Sequence, residues 1–108
     1  MTSFDEREKG FERKYAHDEE LAFKTTARRN KLLGLWAAAK MGKTGNEIDG
    51  YAKDVVMADF ECEGDSDVIG KLLRDFSDAG ITMDEAEIMK EMERLIPIAR
   101  QQIAGDEK

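Results

Sequence analysis

Residues 27–39 read ARRNKLLGLWAAA, and this stretch decides the fold. Leu32, Leu33, Leu35, Trp36 and Ala37 to Ala39 leave almost no polar face, so a helix here must be surrounded by other elements. Directly before them stand Arg28, Arg29, Asn30 and Lys31, a cationic cluster. One helix therefore carries both a buried half and a basic handle.

Working outward, the chain has 108 residues, 41% of them hydrophobic, which is enough for one core and too little for two. A formal net charge of -7 opposes nucleic acid and anionic membrane as general partners, leaving only a local basic patch to override it. No apolar run approaches the roughly 20 residues that span a bilayer, and the opening MTSFDEREKG has no hydrophobic signal region. A soluble, cytoplasmic protein without membrane insertion is expected. The lone Cys62 excludes an intramolecular disulfide, and with only His17 beside it there is no zinc ligand set. Cys62 is read as a small core residue and His17 as an exposed histidine beside a helix start.

Ala, Leu, Lys, Glu, Arg and Met dominate, with a single proline and no long Val/Ile/Thr alternation, so the chain reads as all helix. Gly42, Gly64, Gly80 and Gly105 fall where helices would stop. The first bundle helix is predicted over about 19–41 with Asp18 as its N-cap, and the second over about 46–63 behind the capping box Thr44-Gly45-Asn46-Glu47. The third covers about 66–79, and the fourth about 83–104 behind a second box, Thr82-Met83-Asp84-Glu85. Apolar stripes follow the helical period: Ile48, Tyr51, Ala52, Val55 and Cys62; then Val68, Ile69, Leu72, Leu73 and Phe76; then Ile88, Met92, Leu95, Ala99 and Ile103. Pro97 interrupts the last pattern and predicts a kink near Glu93 to Pro97. Short connections favour antiparallel neighbours, hence an all-α four-helix bundle over 19–108. Residues 1–18 are too polar to fold alone and read as a mobile arm, with Phe4, Phe11 and Tyr15 at i, i+7 and i+11 as a narrow seam that becomes helical against a partner.

Charge is uneven. Residues 19–42 carry two acids and five bases, whereas residues 43–80 carry ten acids and four bases. Lys24, Arg28, Arg29 and Lys31 therefore face acids of the second and third helices, or else form a site for phosphate or an acidic partner. Trp36 can stack on a base only if its ring is partly exposed.

Chemistry finds no purchase. Gly42-Lys43-Thr44 imitates a phosphate loop, but Ala37 stands where its first glycine belongs and a helix, not a strand, precedes it. Glu85, Glu87, Glu91 and Glu93 read as a solvated face, and no Glu-x-x-His pair exists for a di-iron site. Ser and Thr lack a neighbouring His, so no nucleophile is assembled and an enzyme is not expected. Met41, Met57, Met83, Met89 and Met92 read first as core and second as an adaptable groove.

The arm FDEREKGFERKYAHDEELAFK, running into ARRNKLLGLWAA and then GKTGNEIDGYAKDVVMADFE, resembles the zeta subunits of the F-type ATP synthase of alpha-proteobacteria. The likeness spans residues 3–80 in order and continues more loosely beyond. It implies a regulatory protein, peripheral to the inner membrane through the synthase, that inhibits ATP hydrolysis. In that family a flexible N-terminal segment enters an interface between alpha and beta subunits near the gamma shaft and folds there. Carried over, the segment is residues 1–18, with Phe4, Phe11 and Tyr15 as apolar anchors and Arg7, Arg13 and Lys14 as polar contacts, roles assigned from residue type and spacing. The resemblance also implies ADP or ATP as a bound ligand without any required cofactor, for which Arg28, Arg29 and Lys31 are the cations to examine. A nucleotide-binding sensor of the same complex is the alternative to an inhibitor, and a monomer is expected for the free protein.

Overall fold

The computed structural model describes residues 2–61 and 65–106, with side chains over 19–59 and 65–106. It has four helices, α1 (Thr2–Lys40), α2 (Asn46–Glu61), α3 (Asp65–Asp78) and α4 (Glu85–Asp106), and no strand among the described residues. The expected arm contacts Phe4, Arg7, Phe11, Arg13, Lys14 and Tyr15 lie outside the residues whose side chains are described, as do His17 and Cys62, whereas α1 runs through Asp18, which therefore does not cap a helix start at 19. Gly64 lies outside the described residues too.

Two glycines end helices as their backbone freedom requires. Gly42 takes φ +79° while Lys43 N–H donates to the Ala38 carbonyl at 3.0 Å and Gly42 N–H to that of Ala39 at 3.1 Å. Gly80 repeats this at φ +75°, with Ile81 N–H donating to the Phe76 carbonyl at 2.8 Å. Both are Schellman caps, satisfying carbonyls that a helix end leaves open. The Gly42 and Lys43 amides are thereby spent on α1, so they cannot cradle a phosphate. Gly105 differs from its expected role and lies inside α4.

The helix starts depart from the capping boxes in detail. At α2, Glu47 N–H donates to the Thr44 carbonyl and Ile48 N–H to that of Gly45, each at 3.3 Å, in place of a reciprocal side-chain pair. At α4 the cap is Asp84, not Thr82: its Oδ1 accepts the Glu87 N–H at 2.8 Å. Asp competes well here because an ionised oxygen also meets the positive end of the helix dipole. Asp84→Ala should therefore cost about 1 kcal/mol in urea unfolding, and Thr82→Ala no more than a few tenths. Equal losses would return the cap to Thr82.

The predicted stripes make one core. Leu33, Ala37 and Ala38 of α1 meet Tyr51 and Val55 of α2, Val68, Ile69, Leu72 and Phe76 of α3, and Ile88, Met92 and Leu95 of α4. Ala99 and Ile103 extend the buried side of α4. Pro97 is on the exposed side and α4 continues through it, so its missing N–H faces water instead of core. α1 packs mainly on α2 and α4, which buries Leu33, Ala37 and Ala38 but, against the expectation of a helix surrounded on every side, leaves Leu32, Leu35 and Trp36 half-buried and Ala39 exposed. Trp36 is half-buried, with its ring edge-on to Phe76 at 5.9 Å between centroids and the Lys40 ammonium 5.4 Å from its own centroid.

The α1–α2 contact depends on a residue without a side chain. A Cβ at Gly34 would stand 2.6 Å from the Ala52 Cα and 3.2 Å from both the Ala52 Cβ and a Val55 methyl. The two backbones approach closely because neither carries bulk there.

Candidate functional site

The cationic cluster of α1 is divided by the turn of the helix. Arg29 points inward and is 6% exposed, with its guanidinium donating to Asp65 Oδ1 at 2.7 Å and to Asn30 Oδ1 at 2.9 Å. Asn30 is fully buried, and its Nδ2 has no hydrogen-bond partner. Removing Asp65 would leave a buried cation without its counter-charge, which makes Arg29 a structural residue of the α1–α3 contact. Arg28 turns toward α4, donating to Asp106 at 2.8 Å and to Gln102 at 2.9 Å. Lys24 pairs with Glu20 of its own helix at 3.1 Å. Lys31 is exposed. Of these four, Arg29 meets the third helix as the charge count suggested, while Arg28 pairs with α4.

Grooves flank this part of α1. One, of about 670 Å³, runs between Leu21, Thr25 and Arg29 of α1 and Ile96, Arg100 and Ile103 of α4. The other, of about 450 Å³, is lined by Phe23, Ala27, Val56 and Ile103, with Lys24, Arg28 and Lys31 beside them. The second groove brings together Arg28 and Lys31 of the sequence-selected cations. Arg29 lies apart from it, against Asp65.

A third polar cluster lies near the C-terminal end of the bundle half of α1. Tyr51 donates its hydroxyl to Asp75 at 2.7 Å, Lys71 pairs with the same carboxylate at 3.0 Å, and the Lys43 and Lys71 ammonium groups stand 5.5 and 5.2 Å from the Tyr51 ring centroid. Burial first, then the hydrogen bond and negative charge of Asp75, hold the phenol far above its ordinary range, so it remains a donor. The network pins α2 to α3. Periodicity indicates that Tyr51 is buried; nothing local names Asp75 as its partner.

Among the described residues no group of three or more His, Cys, Asp or Glu side chains is placed to hold a metal ion, and no helix is long and apolar enough to cross a membrane. Glu85, Glu87 and Glu93 are exposed, while Glu91 pairs with Arg94 of its own helix. Met92 is core and Met41 and Met83 pack against it, whereas Met57 and Met89 stay exposed. The methionines thus do not gather into one surface.

No curated protein matches. A protein solved by solution NMR is similar in fold, with a TM-score of 0.68, 44% sequence identity, and coverage of 78% of this chain and 95% of that one. The sequence matches the family described as ATPase inhibitor subunit zeta over residues 1–102, which takes in the N-terminal segment and nearly all of the bundle. The chain belongs to the ATPase inhibitor subunit zeta family.

Proposed function

We propose that this chain inhibits ATP hydrolysis by the catalytic head of an F-type ATP synthase, and that residues 1–18 are the effector, entering an interface between alpha and beta subunits beside the gamma shaft. One observation carries the reading: the family match spans residues 1–102, so it takes in the N-terminal segment together with the bundle. Rotary hydrolysis requires catalytic interfaces to open and close in turn, and a helix wedged into one of them stops the cycle without chemistry. Phe4, Phe11 and Tyr15 supply the apolar anchors, Arg7, Arg13 and Lys14 the polar contacts. Their gain is reduced by whatever ordering the segment undergoes on binding. The protein is regulatory and non-catalytic.

The test is ATP hydrolysis by the cognate head lacking its own zeta subunit, with the full chain, the Phe11→Ala variant, or protein beginning at Glu19 added. Among the described residues every buried side chain lies at position 29 or later, within the shortened chain. The full chain should inhibit and the shortened one should not. Phe11→Ala should raise the half-inhibitory concentration about tenfold, the effect of losing one interface anchor, with the melting temperature of the free protein unchanged. An inert full chain rejects the reading; a fully active Phe11→Ala variant rejects that anchor alone.

ADP or ATP binding through Arg28, Arg29 and Lys31 takes second place. Arg29 is committed to Asp65 and Arg28 to Asp106, so a nucleotide would meet Lys31 first and compete with carboxylates for the rest. Its support is the groove beside Lys31.

A further inference from the structure

We propose that the groove lined by Phe23, Ala27, Val56 and Ile103 is a second docking surface, one that receives an acidic amphipathic helix of the partner protein; this rests on the inhibitor reading above. Phe23 is 57% exposed, the most exposed of the bundle's large apolar side chains among the described residues. It stands at the mouth of an apolar groove whose α1 side carries Lys24, Arg28 and Lys31.

These cations are spaced i, i+4 and i+7, so they form one stripe about 10 Å long parallel to α1. A stripe of that length matches carboxylates repeated along one face of a facing helix. A polyphosphate concentrates its charge at one point, where the Asp106 carboxylate at Arg28 would oppose it. Spread carboxylates meet Lys24 and Lys31 on either side of that position. In a chain of net charge -7, an acidic partner is repelled by the mean surface and steered to this stripe. The Glu20 and Asp106 carboxylates that pair with Lys24 and Arg28 are more than half exposed and can turn to water.

The groove begins five residues after the proposed effector segment, on the same helix. A partner that engages residues 1–18 thus meets this face within the next two turns. The segment supplies the block, and the groove supplies encounter and register.

The test uses the full chain and the cognate head without its own zeta subunit, comparing wild type with Lys31→Glu, Phe23→Ala and the double variant. The double variant should raise the half-inhibitory concentration about tenfold or more, through slower association for Lys31→Glu and faster release for Phe23→Ala. The Lys31→Glu deficit should shrink as salt is raised, because exposed charges are screened. Full inhibition at saturation should survive. If wild type inhibits and Phe11→Ala weakens it while the double variant matches wild type, the groove does not dock the partner and the effector reading stands. If wild type neither binds nor inhibits, both readings fall. Adding ADP to the free chain should leave the amides of Ala27 to Lys31 and Val56 unmoved; shifts confined to them would make the groove a nucleotide site and overturn the proposal.

Discussion

Phe76→Ala should destabilise the bundle by about 4 kcal/mol, the cost of removing a fully buried aromatic ring and leaving a cavity that its neighbours only partly fill. Phe76 does more than occupy volume. Its ring meets the half-buried Trp36 edge-on, and its carbonyl accepts the Ile81 N–H that closes α3 at Gly80. The truncation leaves the backbone cap possible but removes the apolar contact that accompanies such a cap. Against a total stability of about 5–15 kcal/mol for a single domain, the loss is severe, and the melting temperature should fall by roughly 15 °C or more. Urea and thermal unfolding followed by circular dichroism would measure it. Phe76→Leu, which keeps most of the volume, should cost less than half as much. If both substitutions cost under about 1 kcal/mol, the α3 side of the core is looser than its burial indicates.

Gly34→Ala should destabilise by about 2 kcal/mol, against the direction helix propensity alone predicts. Replacing a helical glycine with alanine ordinarily gains about 1 kcal/mol. Here the new methyl would meet the Ala52 Cα at 2.6 Å, and backbone cannot rotate aside as a side chain can. α1 and α2 must separate, and the strain of overpacking exceeds the propensity gain. Gly50 is the internal control, because a Cβ there meets nothing within 4 Å. Gly50→Ala should stabilise by about 0.5–1 kcal/mol in the same measurement. Opposite signs at the two positions would establish the close crossing; matching stabilisation at both would mean that the helices yield readily. The crossing lies in the half of α1 that carries the cationic grooves and leads back to the proposed effector segment. A bundle loosened there should also inhibit less well at temperatures where it begins to unfold.

Much of this protein is legible before any coordinates are known. In the apolar stretch of α1, Leu33, Ala37 and Ala38 are buried as expected while Leu35 and Trp36 are only half-buried and Ala39 is exposed; the stripe Ile88, Met92, Leu95, Ala99 and Ile103 is buried position for position, and Gly42 and Gly80 close their helices. Each of these depends on interactions within one or two helical turns, where period and backbone freedom are written in neighbouring residues. The family resemblance is legible for a related reason, since it lies in the order of residues and not in their contacts. Where several residues compete locally, the result is less determined, as at α4, where Asp84 serves as the cap in a box headed by Thr82. Tertiary structure alone decided that Arg29 is buried on Asp65, that Arg28 reaches Asp106, that Tyr51 finds Asp75, and that Gly34 admits Ala52. These partners stand between 18 and 78 positions apart in sequence. Their pairing depends on the rotation and register of one helix against another, and an apolar stripe specifies which face is buried while leaving open which residue it will meet.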